Sequence, residues 1–284
     1  MDTIDNGQFI IDNCSLSIVH CQLSIPYDVP SGTLRCFTFF QINPMKRNLL
    51  LVAAMLFVLS SALSATGQTV KKPFDGCCLG GWAFKGNNAN CWTVGTLKVD
   101  ESTMEAVPLK EGEKGYLINP VGADWNTVRP RRGVDIYTKE KFGDCTVKVE
   151  FIITKGSNSG VYLMGEYEVQ IADSFGKAND KLGQGDMGAI YSAAAPSSNA
   201  AGAPGTWQKF EIEFVAQKFD AGGNKTANAL FKKVVLNGKV IQENVSVEKA
   251  TGGGITMKEA ATGPLMLQGN HGPIAFRNIE IIVP

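Results

Sequence analysis

The stretch Tyr167-Glu168-Val169-Gln170-Ile171-Ala172 alternates with a period of two. As a strand it puts Tyr167, Val169 and Ile171 on one face and Glu168, Gln170 and Ala172 on the other. A carboxyl and an amide side by side, next to the Tyr-bearing segment Asn158 to Met164, suit a sheet face that binds polyols. The same pattern disfavours one chemistry. A retaining glycosidase needs two carboxyl groups about 5 Å apart, and this alternating set offers only Glu168. Asp173 comes next, but a regular strand turns it to the opposite face. His271 is the other titratable residue to consider, and it stands alone after residue 67. It lies in Gln268-Gly269-Asn270-His271-Gly272-Pro273, a turn before the apolar run Ile274 to Ile282. An imidazole there could transfer protons near neutral pH.

Other site chemistries find little support. One histidine cannot build a multi-histidine metal centre. The acidic loops at Asp180 to Asp186 and around Asp220 do not follow EF-hand spacing. No G-x-S-x-G segment has the strand, sharp turn and helix of a serine-hydrolase elbow. No metal-ligand set and no cofactor is read from the chain.

The elements that must hold these residues are strands. Thr146 to Ile152 and Lys209 to Phe214 both alternate apolar with charged positions. Asn237-Gly238 between Val234-Val235-Leu236 and Lys239-Val240-Ile241 predicts a hairpin with a type I′ turn. Gly165-Glu166 predicts another tight connection. No amphipathic helix longer than two turns is visible. Many short strands with frequent turn signals predict an all-β fold, a sandwich or jelly roll. Three stretches read as loops: 173–188, 193–205 and 220–228. Trp82, Trp92 and Trp207 read as core, and Trp125, in the polar segment 122–132, as exposed.

Of the 284 residues, not all read as fold. Met45-Lys46-Arg47, the 11 apolar residues Leu49 to Leu59, and the small and polar run Ser60 to Gly67 form the layout of a secretory signal peptide. A membrane span needs roughly 20 apolar residues, so no stable membrane anchor is expected. The expectation is a start at Met45, a cut before Gln68, and a periplasmic or secreted domain over 68–284. Residues 1–44 then read as a start-site artefact. They carry no usable period and hold three of the seven cysteines. The segment before Gln68 holds three of the 27 basic and four of the 27 acidic residues, so the rest is nearly neutral. That balance gives no footprint for nucleic acid. Cys77, Cys78, Cys91 and Cys145 allow three disulfide pairings in an exported chain. Their spacing does not match a zinc site.

Several short pieces together resemble the 3-keto-disaccharide hydrolase domain family. They are Phe74-Asp75-Gly76 with Gly81-Trp82, Phe142-Gly143-Asp144, Asn158-Ser159-Gly160-Val161-Tyr162, Tyr167 to Ile171 with Asp173-Ser174, Gly188-Ala189-Ile190-Tyr191, Trp207, Asn237-Gly238, and Leu267-Gln268 through His271-Gly272 to Phe276-Arg277-Asn278-Ile279. They run in the family's order over nearly all of 74–284. The resemblance implies a concanavalin A-like jelly roll of two antiparallel sheets. It also implies cleavage of 3-keto-glycosides after a partner sugar oxidoreductase has made the ketone. Carried over by position, it implies Glu168, Asp173 and His271 as acid/base groups. It implies Asn158, Gln170, Tyr191, Gln268 and Arg277 as substrate or oxyanion contacts. Strand alternation does not let Arg277 and Asn278 both face the site. Met164 and Glu166 stand where the family often has a basic or amide residue, and Cys77-Cys78 replaces a more usual polar pair. The competing expectation is a non-catalytic glycan-binding module on the same fold.

Overall fold

The computed structural model of the protein describes residues 67–86, 91–120 and 133–284. The expected leader, the 44 residues before it and Trp125 lie outside the described residues.

In chain order the strands are β1 (Thr69–Lys71), β2 (Trp82–Phe84), β3 (Thr93–Val99), β4 (Met104–Val107), β5 (Tyr116–Asn119), β6 (Ile136–Thr138), β7 (Cys145–Ile153) and β8 (Asn158–Leu163). There follow β9 (Tyr167–Ala172), β10 (Gln208–Val215), β11 (Lys218–Phe219), β12 (Lys225–Ala227), β13 (Ala229–Leu236), β14 (Lys239–Val247), β15 (Met266–Leu267) and β16 (Ile274–Val283). The larger sheet runs β14-β13-β10-β7-β16-β5-β3-β4, with β1 paired to β16. The smaller runs β2-β6-β15-β8-β9. All pairings in both are antiparallel, and the two sheets make a jelly-roll sandwich. A single 3₁₀ turn, Asn179–Lys181, is the one helical element among the described residues, and none of them forms a helix able to cross a membrane.

The alternation in sequence becomes the inward face of each sheet. Val147, Val149 and Phe151 of β7 and Phe210, Ile212 and Phe214 of β10 meet Tyr167, Val169 and Ile171 of β9 in one core. Phe151 stacks on Phe210 with ring centroids 5.0 Å apart, and Phe214 meets Phe231 edge-on at 5.1 Å. Burying each such ring stabilises the fold by about 2–3 kcal/mol. Trp82 and Trp92 are buried here as expected. Trp207 is half-buried against a second cluster on the outer face of the larger sheet. Asn237 and Gly238 take φ of 51° and 82°, the two left-handed positions of a type I′ hairpin. The β8–β9 hairpin turns the same way, but one residue earlier than expected. Met164 and Gly165 carry the positive φ, and Glu166 N donates to Leu163 O at 3.0 Å. That two-residue turn fixes Tyr162 opposite Glu168 and Gly160 opposite Gln170.

Candidate active site

The outer face of the smaller sheet carries the polar residues. Because Tyr167, Val169 and Ile171 point inward, Glu168 and Gln170 point out. They are nonetheless buried, at 2% and 3% exposure, because loops cover this face. Segment 185–191 closes the free edge of β9: Gln170 N donates to Ala189 O, Gly188 N to Gln170 O, and Tyr191 N to Glu168 O. On the other side the strap 251–257 is pinned to the hairpin. Thr251 Oγ1 accepts from Glu168 N at 3.0 Å. The carboxylate of Glu166 accepts from Thr256 N, Thr256 Oγ1 and Met257 N at 2.7–2.9 Å. Glu166, flagged in the sequence as a departure, therefore fastens the strap.

Between sheet, loop and strap lies a pocket of about 280 Å³. That is near the lower bound of small-molecule sites, roughly 300 Å³, and admits one small ring more readily than an oligomer. Glu168, Gln170, Gln268 and Asn158 line it from the sheet. Tyr162 joins them, while Tyr191, His271 and the backbone of Gly252 and Gly253 form the rim and roof. Seven of these nine residues are ones the sequence placed at the site or in the strand beside it. Two expected members are elsewhere. Asp173 faces away, as the alternation warned; its carboxylate accepts from Gly156 N at 2.9 Å and Phe175 N at 3.3 Å and so closes a turn. Arg277 is a correction of a different kind. It sits on the outer face of the larger sheet, paired to Glu150 Oε2 at 2.7 Å, with its guanidinium 4.0 Å from the centroid of Trp207. A β-bulge after Arg277 lets Asn278, at φ 49°, reach the same Glu150. The two residues share a carboxylate there and neither contributes to the pocket.

Three contributors were not singled out from sequence. Tyr162 was legible through the hairpin register, which sets it directly across from Glu168. Lys85 and Asp135 were not, because their strands are 50 residues apart and meet only in the fold. They extend one cross-sheet row: Lys85 N bonds to Asp135 O, Gly269 N to Asp135 Oδ1, and Gln268 N to Gly160 O. Lys85 Nζ lies 3.2 Å from Asp135 Oδ2 and also donates to Gly253 O, tying the row to the strap.

The electrostatics single out Glu168. Burial raises its carboxyl from 4.5 to about 8, and the Asp135 charge adds to this. A hydrogen bond from Tyr162 and the charge of Lys85 oppose the rise. The group therefore holds its proton in neutral water yet can lose it mildly above that, the range a general acid/base needs. Tyr162 is pushed upward from its usual range by burial and the adjacent Glu168, so it stays a neutral donor. Its hydroxyl donates to Gly252 O and accepts from Gln268 Nε2, both at 3.1 Å. The other end of that amide, Gln268 Oε1, is buried with no hydrogen-bond partner among the described residues. A buried orphan acceptor costs about 1–3 kcal/mol, which a donor from a bound hydroxyl would offset. His271 sets Nδ1 against Asn270 Oδ1. Among the described residues no group of three or more His, Cys, Asp or Glu is placed to hold a metal ion. Cys77 and Cys78 are exposed thiols outside the pocket, and Cys145 is a buried thiol of the core.

Comparison with known proteins adds three findings. The model of a family described as 3-keto-alpha-glucoside-1,2-lyase-like domain matches residues 69–282. A solved structure of a "putative glycosyl hydrolase" from Parabacteroides distasonis ATCC 8503 is similar over 76% of this chain and 83% of its own, at 28% identity and a TM-score of 0.53. A second structure from the same organism, described in the same words, shares 18% identity over 75% of this chain and 92% of its own, at a TM-score of 0.47. No curated protein matches the chain.

Proposed function

The chain belongs to the 3-keto-alpha-glucoside-1,2-lyase-like domain family, and from that premise we propose that it cleaves 3-keto-glycosides by taking the C2 proton and expelling the C1 aglycone. The observation that carries the reading is Glu168: one buried carboxyl at the wall of a polar pocket, with its pKa raised to about 8. A C3 ketone acidifies the C2 hydrogen, so a single base suffices where ordinary glycoside hydrolysis needs two carboxyl groups. Among the described residues that line the pocket, Glu168 is the one carboxyl. Ionised Glu168 takes the C2 proton. His271, at the rim, protonates the departing C1 oxygen. Gln268 Oε1 accepts from a sugar hydroxyl, and Asn158, Gln170 and Tyr191 hold the remaining ones. Water adding to the resulting C1=C2 bond would complete a hydrolysis.

This reading needs an oxidised substrate, so a sugar oxidoreductase is proposed upstream of it. Export to the periplasm or medium, on the sequence pattern at 45–67, is proposed as its setting.

The test is turnover of the 68–284 chain on a 3-keto-glucoside and on its unoxidised parent. Aglycone release from the keto form alone is expected. Equal release from both would point to ordinary hydrolysis. Reversible binding without release from either would favour a glycan-binding module. Because Glu168 must ionise to act, kcat/KM should rise with pH on the approach to about 8.

A further inference from the structure

When the C2 proton leaves a 3-keto-glycoside, negative charge moves to the ketone oxygen. A site for this reaction needs a donor for that oxygen as well as a base. Tyr162 has the placement for it. It stands directly across the hairpin from Glu168 and is 1% exposed, yet its hydroxyl reaches the pocket wall. Gln268 Nε2 donates into its oxygen, which strengthens the phenol as a donor. Its own hydrogen is shared between a loop carbonyl, Gly252 O, and the ionised Glu168 carboxylate, and once Glu168 has taken the C2 proton it can turn to the enolate oxygen. The strap leaves room for this: a Cβ on Gly253 would come within 2.7 Å of the Tyr162 hydroxyl.

We propose that Tyr162 is a catalytic residue, donating the hydrogen bond that stabilises the enolate oxygen at C3. The proposal rests on the 3-keto-glycoside reading above. The Glu168 carboxylate takes the C2 proton. The C–H pair becomes C2=C3, and the carbonyl π pair moves onto O3 against the Tyr162 O–H. Then O3 restores C3=O and the C2=C3 pair shifts to C1=C2. The C1–O1 bond breaks, and O1 takes a proton from His271. Exchange with water returns the proton on Glu168 to the histidine side before the next cycle. No oxidant or reductant is consumed.

Tyr162→Phe removes one oxygen and keeps the ring. On a 3-keto-glucoside it should lower kcat by about 10²–10³, as loss of one oxyanion donor does. The loss should be equal for an alkyl and a 4-nitrophenyl aglycone, because enolate formation precedes departure. The acid limb of the pH profile should also move to higher pH, since the Tyr162 hydrogen bond holds the Glu168 pKa down. Gln268→Glu is the second variant: a carboxylate there would accept the Tyr162 hydrogen and keep it from the substrate, so a loss of at least tenfold is expected. An active parent protein with either folded variant at parental speed overturns the proposal. So does a loss confined to the alkyl aglycone, which would make Tyr162 the acid for the leaving group. A parent protein inert on keto and unoxidised substrates alike would fail one level earlier, sinking the reading on which the proposal rests.

Discussion

Glu168→Gln should cut aglycone release from a 3-keto-glucoside by about 10²–10⁴, the range for losing a general acid/base, and at the same time make the protein more stable. The two effects have one cause. Burial raises the Glu168 carboxyl to about 8 from 4.5, so the folded state binds this proton more tightly than the unfolded chain does. The stability this contributes is complete below about 4.5. It drains away as pH rises toward 8, and the loss levels off above that. At ~1.4 kcal/mol per pH unit the span amounts to roughly 5 kcal/mol. Glutamine keeps the shape of the neutral acid and never ionises. Melting curves of parent and variant should therefore coincide near pH 4.5 and diverge as pH rises. By pH 8.5 the variant should melt about 10–20 °C higher, at about 2–4 °C per kcal/mol for a domain of this size. A variant that is inactive and also less stable at pH 8.5 would mean that Glu168 ionises at no cost, and the argument from its environment would fall.

Gly160→Ala should produce the second large loss, without touching a polar group. Gly160 shares the outer face of β8 with Asn158 and Tyr162, diagonal to Glu168 on β9. A Cβ there would lie 2.2 Å from Glu168 Oε1 and 2.9 Å from its Cδ. The carboxyl cannot simply swing to solvent, because loop and strap cover it. An ångström of displacement at a reacting group costs about 10² in rate, and that is the expected drop in kcat. Overpacking should also lower stability by about 1–3 kcal/mol. The methyl group acts by moving Glu168, so the double variant Gly160→Ala/Glu168→Gln should be no slower than Glu168→Gln alone. Kinetics of the three proteins check this. Fully additive losses would show that Gly160 acts by some other route.

These residues also show what the sequence reveals. Strand alternation assigns Glu168 and Gln170 to one face and Asp173 to the other, and the fold keeps that assignment. The tight β8–β9 turn then brings Tyr162 opposite Glu168, so the hairpin half of the site follows from local rules. The row continues through Gln268 to Asp135 and Lys85, and that half depends on which strands become neighbours. No spacing in the chain encodes a contact between residues 85 and 135. Arg277 fails for another reason. Its motif matches the family by position, but β16 lies in the larger sheet, and a bulge with Asn278 at positive φ overrides the alternation there. The raised pKa of Glu168 was equally out of reach, since it arises from segments 185–191 and 251–257 folding over the strand.

The central claim is that the C2–H bond breaks in the cleavage that releases the aglycone. Cleavage of a 3-keto-glucoside by the parent protein in D₂O, read by NMR at early times against an enzyme-free control, tests it most directly. The account predicts that every released sugar has lost its original C2 hydrogen, as the 1,2-ene or, after hydration, with one deuterium at C2. Released sugar that keeps protium at C2 would mean direct displacement at C1, and would contradict it.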